Sequence, residues 1–388
     1  MADRNSSVPL AQTGLPPSER VDVACLARAL AHKNTSYKFL LLKIILQRTA
    51  AQAAADELAI SFDDIRREML VAAWFPVRHF RLRFGTQDML GRALGELVET
   101  ELVGGGPYVR TEQVRRDFDA AAGEIAKVPN VRLLTHHPIN VMLLPWFKSE
   151  TKGLRSTPLY NRVVELSNER AAAERPPLYR IDRQRQLIVV HRRWREYFEI
   201  NWQIINGWLD NQWLQFLTSQ NPNVPNLANK LWEPPARRQP LTRQRNYWKP
   251  FIASSELCCF YSDSLLDLNG YHLDHFLPWS WVGHDQLWNL VPVAKEPNSS
   301  KSNRLPARDL IPALAERHRQ AIAFARRRLD EHDWKLKVDD YIIGLNASYD
   351  DLLHSPNIVN AYNATIRAQL DLAERQGFET WENHHEHP

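Results

Sequence analysis

The chain has 388 residues, of which 44% are hydrophobic, 24% charged and 10% aromatic. That composition excludes a disordered or low-complexity protein and leaves room for two or three domains with a substantial core. The formal net charge of +4 is small for this length but unevenly placed, with Arg237, Arg238, Arg243, Arg245 and Lys249 crowded into one stretch, which suits either a polyanion partner or a solvated linker.

Residues 1–20 are polar, contain Pro9, Pro16 and Pro17, and lack the apolar segment of a signal peptide; a flexible tail is expected. Cys25, Cys258 and Cys259, an odd number that includes an adjacent pair, offer no secreted-type disulfide framework and point to a reducing, cytoplasmic setting. From Val21 to about Glu101 the pattern is helical. Ala24, Leu26 and Leu30 open it, and Phe39 to Leu46 is nearly continuous but interrupted by Lys43, so no segment qualifies as a membrane span. Ser61 with Asp64 marks a helix start, and Pro76 ends the helix carrying Ile65, Met69, Val71, Ala72 and Phe75. His79 to Phe84 alternates, placing arginines on one face of an extended segment and apolar residues on the other.

Gly104-Gly105-Gly106-Pro107 is a break without the spacing of a phosphate-cradling loop. Short strands are expected at Val131–Leu134 and Val141–Leu144, and a hairpin from Leu178–Ile181 and Gln186–Val190. One long helix is expected from Arg192 to Thr218, its stripe of Trp194, Phe198, Ile205, Trp208, Leu209, Trp213 and Phe216 assigned to core. Asn221 to Pro225 and Pro234-Pro235 stop regular structure. The helix-rich region 21–235 is a candidate for sensing or for binding nucleic acid or a partner, and 236–249 reads as a basic linker. Beyond Pro306, Leu310, Leu314, Ala321, Phe324 and Leu329 restore helical spacing, and helices continue through 313–388 to about Trp381.

The passage that carries chemistry lies between 250 and 312. It reads Tyr271-His272-Leu273-Asp274-His275-Phe276-Leu277-Pro278-Trp279, then Asn289-Leu290-Val291-Pro292, then Asn298-Ser299-Ser300-Lys301-Ser302-Asn303-Arg304-Leu305-Pro306. Phosphodiester hydrolysis needs an activated water, a cation to neutralise charge on the phosphate, and rigid placement of both. His275 has the side chain whose unperturbed pKa lies nearest neutrality, so it is the candidate general base. Asp274 supplies a hard anionic oxygen to a metal and Asn298 a second oxygen. One carboxylate and one amide favour Mg²⁺ or Mn²⁺ over zinc at that position. Adjacent strand residues face opposite ways, so Asp274 and His275 reach one site only if the alternation breaks, for which Pro278 is the expected signal. Asn289 has no charge to offer and is expected to clamp the His275 segment through backbone hydrogen bonds. Lys301 and Arg304, three and six residues after Asn298, are expected to contact phosphates from the same helix face, as are Arg243, Arg245 and Lys249 from the basic stretch. His272, His284 and Asp285 are assigned turn or supporting roles, and His136-His137, His384, His385 and His387 have no metal-ligand context.

Asp-His, a central Asn, and Asn-x-x-Lys-Ser before Leu-Pro resemble the HNH, or ββα-metal, endonuclease family over Leu257 to Pro306, with Asn in place of the final His. The variant also resembles the HNH domain of RNA-guided CRISPR effector nucleases, which implies metal ligation by Asp274 and Asn298 and water activation by His275. The family's two Cys-x-x-Cys pairs are absent: Cys259-Phe260-Tyr261-Ser262 keeps one cysteine, and Ala294 and Pro297 stand where the second pair would fall, so no structural zinc is expected. The resemblance implies an α+β protein, mostly helical, with an embedded ββα-metal (HNH) nuclease module and C-terminal helices. It implies hydrolysis of DNA, with RNA as the alternative substrate, and a role in prokaryotic restriction or anti-phage defence. A scaffold with an inactive HNH fold and a partner-activated nuclease are the rival readings, and a protein partner or oligomer through the helical regions belongs to the same expectation.

Overall fold

The computed structural model describes residues 14–31, 35–52, 57–85, 88–102, 109–233 and 240–382. The Gly104–Pro107 break, Pro234-Pro235, Arg237, Arg238, the terminal histidines and most of the expected tail lie outside the described residues. The chain divides into two compact units, one of residues 1–222 and 231–233, the other of residues 223–230 and 234–388. It is α+β and mostly helical, with small antiparallel sheets.

In the first unit, helices surround a three-stranded antiparallel sheet in which β3 (Leu187–Val190) lies between β1 (Leu58–Ser61) and β2 (Tyr179–Asp182). Leu58 and Tyr179 both pair with Val190. The expected hairpin is β2–β3. β1 is too short to have shown a period of its own. Ser61 closes β1 and caps the Phe62–Trp74 helix, its Oγ accepting from the Asp64 amide at 3.0 Å. At 79–84 the alternation is present in the burial of Phe80, Leu82 and Phe84, although the segment after the Phe75–His79 π-turn joins no sheet.

Three expectations fail here for local reasons. The segments read as strands at 131–134 and 141–144 are helical: Pro129 opens a Pro129–His136 helix that buries Val131, Leu134 and Thr135, and Pro138 opens the Pro138–Val141 turn. The long 192–218 helix is two helices, Arg192–Ile200 and Trp202–Gln220. Asn201 separates them, its Nδ2 donating to the Tyr197 carbonyl at 2.9 Å, the kind of local bond by which asparagine competes with helix propagation. The basic stretch is no linker from Thr242 onward, because Thr242–Ser255 is a helix that buries Tyr247, Trp248, Phe251 and Ile252.

That helix belongs to the second unit, whose core gathers Trp248, Tyr261, Phe276, Trp281, Trp288 and Leu290 with Leu314, Val338, Tyr341 and Tyr362. The last four come from the Ile311–Arg328, Glu331–Leu345 and Ser355–Arg375 helices. Within this shell, β4 (His272–His275) pairs antiparallel with β5 (Leu290–Val293), and the Lys295–Lys301 helix follows. Leu305 then pairs with Thr380, and Trp381 returns its amide to the Leu305 carbonyl at 2.7 Å, so the end of the described chain is tied to the residues just after that helix.

Candidate active site

β4 delivers Asp274 opposite Val291 and His275 opposite Leu290. The strand runs unbroken through both, so the expected break in alternation between them is not found; the chain bends only after His275, at 276–277. Asn289 holds that bend. Its Oδ1 accepts from the Leu277 amide at 2.8 Å, its Nδ2 donates to the Leu277 carbonyl at 2.9 Å, and its own carbonyl accepts from the Phe276 amide at 2.8 Å. Asn289 is fully buried, and these bonds satisfy its amide on both sides.

The two β4 side chains take different partners. His275 Nε2 lies 2.8 Å from Asp285 Oδ1, and Nδ1 has no hydrogen bond to the described residues. A carboxylate accepting at Nε2 fixes the proton there and leaves the Nδ1 lone pair available. Asp285 sits in a braced loop: its carbonyl accepts from Gln244 Nε2 at 2.7 Å, and the Leu287 amide donates to Asp340 Oδ2 at 3.0 Å. His284 in the same loop accepts from the Gln286 amide at 3.3 Å and packs against Trp288. Burial, with the nearby His275 adding to it, pushes the His284 imidazole down to about 4, so it is neutral at neutral pH.

Asp274 is 6% exposed. Its Oδ2 accepts from the buried Tyr261 hydroxyl at 2.8 Å and lies 2.8 Å from Lys301 Nζ. Burial first, and the Asp274 charge second, hold the Tyr261 phenol well above its ordinary range, so it stays a donor. Lys301 Nζ also donates to the His275 carbonyl at 2.8 Å. One ammonium thus ties the Lys295–Lys301 helix to both residues of the Asp-His pair. Lys301 is 0% exposed, which corrects the expectation that it contacts phosphate: a cation paired and buried in this way is withdrawn from solvent and from any strand lying on the surface.

The other residues expected at nucleic acid are not buried in this way. Arg243 pairs with Asp340, and Arg245 donates to the Tyr271 carbonyl at 3.2 Å with its guanidinium 5.3 Å from the Tyr271 ring centre, so both brace the module while remaining exposed. Arg304 donates to the Ser300 carbonyl. Lys249 is exposed on the Thr242–Ser255 helix.

The chemistry of the remaining donors fits a hard divalent cation. Asp274 Oδ1 accepts no hydrogen bond from the described residues, and the half-buried Asn298 side chain, one helical turn before Lys301, has no hydrogen-bond partner among them either. Among the described residues no group of three or more His, Cys, Asp or Glu side chains is arranged to hold a metal. At the place of the missing zinc knuckle, buried Cys259 accepts from the Ala294 amide at 3.2 Å.

Residues 259–307 match the family model described as HNH endonuclease. This segment is an HNH module. The match covers β4, the Asn289 clamp, β5 and the Lys295–Lys301 helix, the ββα order of elements, and supports a nuclease acting on nucleic acid. No curated protein and no solved structure matches the chain. Two contacts of the HNH module were outside the reach of the motif: the Asp285 carboxylate on His275, signalled only by its nearness in sequence, and the Tyr261 hydroxyl on Asp274, which had no signal beyond its place two residues after Cys259.

Proposed function

We propose that the chain is a metal-dependent endonuclease that hydrolyses DNA phosphodiester bonds, with His275 as general base. The observation that carries this reading is the placement of the imidazole: Nε2 lies 2.8 Å from Asp285 Oδ1, and Nδ1, with no hydrogen bond to the described residues, is the nitrogen that would take a proton from water. Asp285 orients the ring and stabilises the imidazolium that forms, a role of position and charge. Asp274 Oδ1 and the Asn298 side-chain oxygen would hold a Mg²⁺ or Mn²⁺ ion, which when bound supplies positive charge to the scissile phosphate. Lys301 and Tyr261 fix the other Asp274 oxygen, so its carboxylate is oriented before any ligand arrives. Asn289 keeps the 276–277 bend closed and with it the position of His275 at the strand end. DNA as substrate, with RNA second, and a role in prokaryotic restriction or defence rest on the family resemblance alone, as does any protein partner or oligomer.

The test is cleavage of supercoiled plasmid, and of RNA in parallel, by the wild-type protein and by His275→Ala, each with Mg²⁺, Mn²⁺ or EDTA. Metal-dependent nicking that disappears in His275→Ala while DNA binding persists is the expected result. Cleavage that survives the substitution rejects the assigned base, and DNA affinity without cleavage in either protein favours an inactive fold.

A further inference from the structure

The first unit contains a cavity of about 480 Å³, within the range of small-molecule sites. Three arginines from three separate elements line it: Arg66 from the Phe62–Trp74 helix, Arg132 from the Pro129–His136 helix and Arg183 from the β2–β3 turn. His136 lies one turn beyond Arg132 and shares the lining, which gives a place to part of the unexplained His136-His137 pair. No carboxylate lines the cavity among the described residues. The nearest acid in the network is the exposed Asp63, whose 3.1 Å pair with Arg66 is worth little. Arg132 donates to the Ala126 carbonyl at 2.9 Å and Arg183 to Asn161 Oδ1 at 2.6 Å, so the hydrogen-bond partners of both are neutral. Burial, and then the charge of Arg132, push the Arg66 guanidinium below its ordinary value against the opposing pull of Asp63, as expected where like charges gather without a buried counter-ion.

The rest of the wall is of another kind. Tyr160 stands edge-on to His136, their ring centres 5.3 Å apart, and Asn140 is 4% exposed with its Oδ1 lacking a hydrogen-bond partner among the described residues. Guanidinium forks suit phosphate oxygens. The volume greatly exceeds one phosphate, and the aromatic and amide wall suits an organic group carrying it.

We propose that this cavity binds a small phosphorylated ligand of the nucleotide class, the phosphate held by Arg66, Arg132 and Arg183. The site is separate from the HNH residues, and the proposal stands or falls without the nuclease reading because binding is read directly. Isothermal titration of the full chain uses the four ribonucleoside monophosphates and triphosphates, the parent nucleosides, inorganic phosphate and a 20-nucleotide single-stranded DNA. Variants are Arg132→Ala with Arg183→Ala, both surface-exposed and so compatible with folding, and Arg116→Ala as a control that removes an exposed arginine outside the cavity lining. At least one nucleotide is expected to bind, its nucleoside at least tenfold more weakly. The double variant should lose tenfold or more, the worth of at least one charged hydrogen bond, and Arg116→Ala should bind as wild type. The proposal is overturned if no nucleotide binds, if nucleotide and nucleoside bind alike, or if the double variant matches the control. Binding of the oligonucleotide alone, lost in the double variant, would overturn it too and assign the surface to a nucleic-acid strand.

Discussion

Replacing Lys301 by Met removes a cation that is 0% exposed and stands 2.8 Å from both Asp274 Oδ2 and the His275 carbonyl. The methionine fills similar volume, so the loss is electrostatic. Breaking one side of a buried pair costs about 3–5 kcal/mol, because the remaining charge is left in a low-dielectric place. For a domain of this size each kcal/mol moves the midpoint by about 2–4 °C, so Lys301→Met should lower Tm by about 6–20 °C. Combining it with Asp274→Asn removes the stranded charge, and the double variant should be less destabilised than the sum of the singles by about 1–3 kcal/mol. The same substitution separates structure from phosphate contact. In a His275→Ala background, affinity for duplex DNA is measured at low temperature across a salt series. A lysine on phosphate contributes about 0.9 to the slope of log affinity against log salt. A buried one contributes nothing, so the slopes measured with and without Lys301→Met should coincide. A slope reduced by about one, or a Tm within about 1 °C of the parent, refutes the reasoning.

Asp285→Ala should reduce kcat about 10–100-fold with little change in KM, as expected when a group supporting a reactive side chain is lost; an unchanged kcat removes it from the mechanism. His318 is completely buried between Trp248, Tyr341 and Tyr362, and burial, then the neighbouring Arg317, push its pKa down to about 3. The unfolded chain protonates this histidine near 6.5 and the folded one does not, so its contribution is intact above that pH and is lost as pH falls from about 6.5 toward 3, by about 1.4 kcal/mol per unit. Urea midpoints for His318→Phe should therefore fall less steeply over that window than those of the wild type, and parallel curves would reject the assignment. Gly344→Ala would place a Cβ 1.9 Å from Trp288 Nε1, and the repacking should cost about 1–3 kcal/mol despite alanine's better helix propensity; a gain in urea midpoint would show that the indole yields freely.

The proposed reacting groups are legible as a motif because they are local. Asp274-His275, Asn289 and Asn298 fall in one window whose Pro and Trp framing also marks two strands and a helix. Elsewhere, short runs misled. Val131-Arg132-Leu133-Leu134 satisfies both a strand and a helix pattern over four residues, and only Pro129 at the first helical position and the burial of Val131, Leu134 and Thr135 decide it. The three-residue spacing puts Lys301 on the same helix face as Asn298. Whether that face met solvent depended on how far the shell of Phe276, Trp281, Tyr261 and the later helices closes around it, which no spacing within the motif records.

That closure also answers how the HNH module stands without a zinc knuckle. Where two cysteine pairs would clasp a metal, one hydrogen bond from the Ala294 amide to Cys259 remains, worth about 1 kcal/mol against the far larger contribution of a structural zinc. The difference is made up outside the matched segment. Arg317 donates to the Cys258 carbonyl at 2.7 Å, Tyr362 to the Trp288 carbonyl at 3.0 Å, Trp281 Nε1 to Gln369 Oε1 at 2.8 Å and Trp381 Nε1 to Ser300 Oγ at 3.1 Å. Each bond joins residues 258–300 to a position between 317 and 381, and Trp281, Trp288, Tyr362 and Trp381 all lie in the shared core. The C-terminal helices therefore take the structural place of the metal: a fragment ending near residue 310 would keep every proposed catalytic residue and lose the Tyr362 bond to the Trp288 carbonyl, next to Asn289, and the Trp381 ring packed on Tyr261, the donor to Asp274.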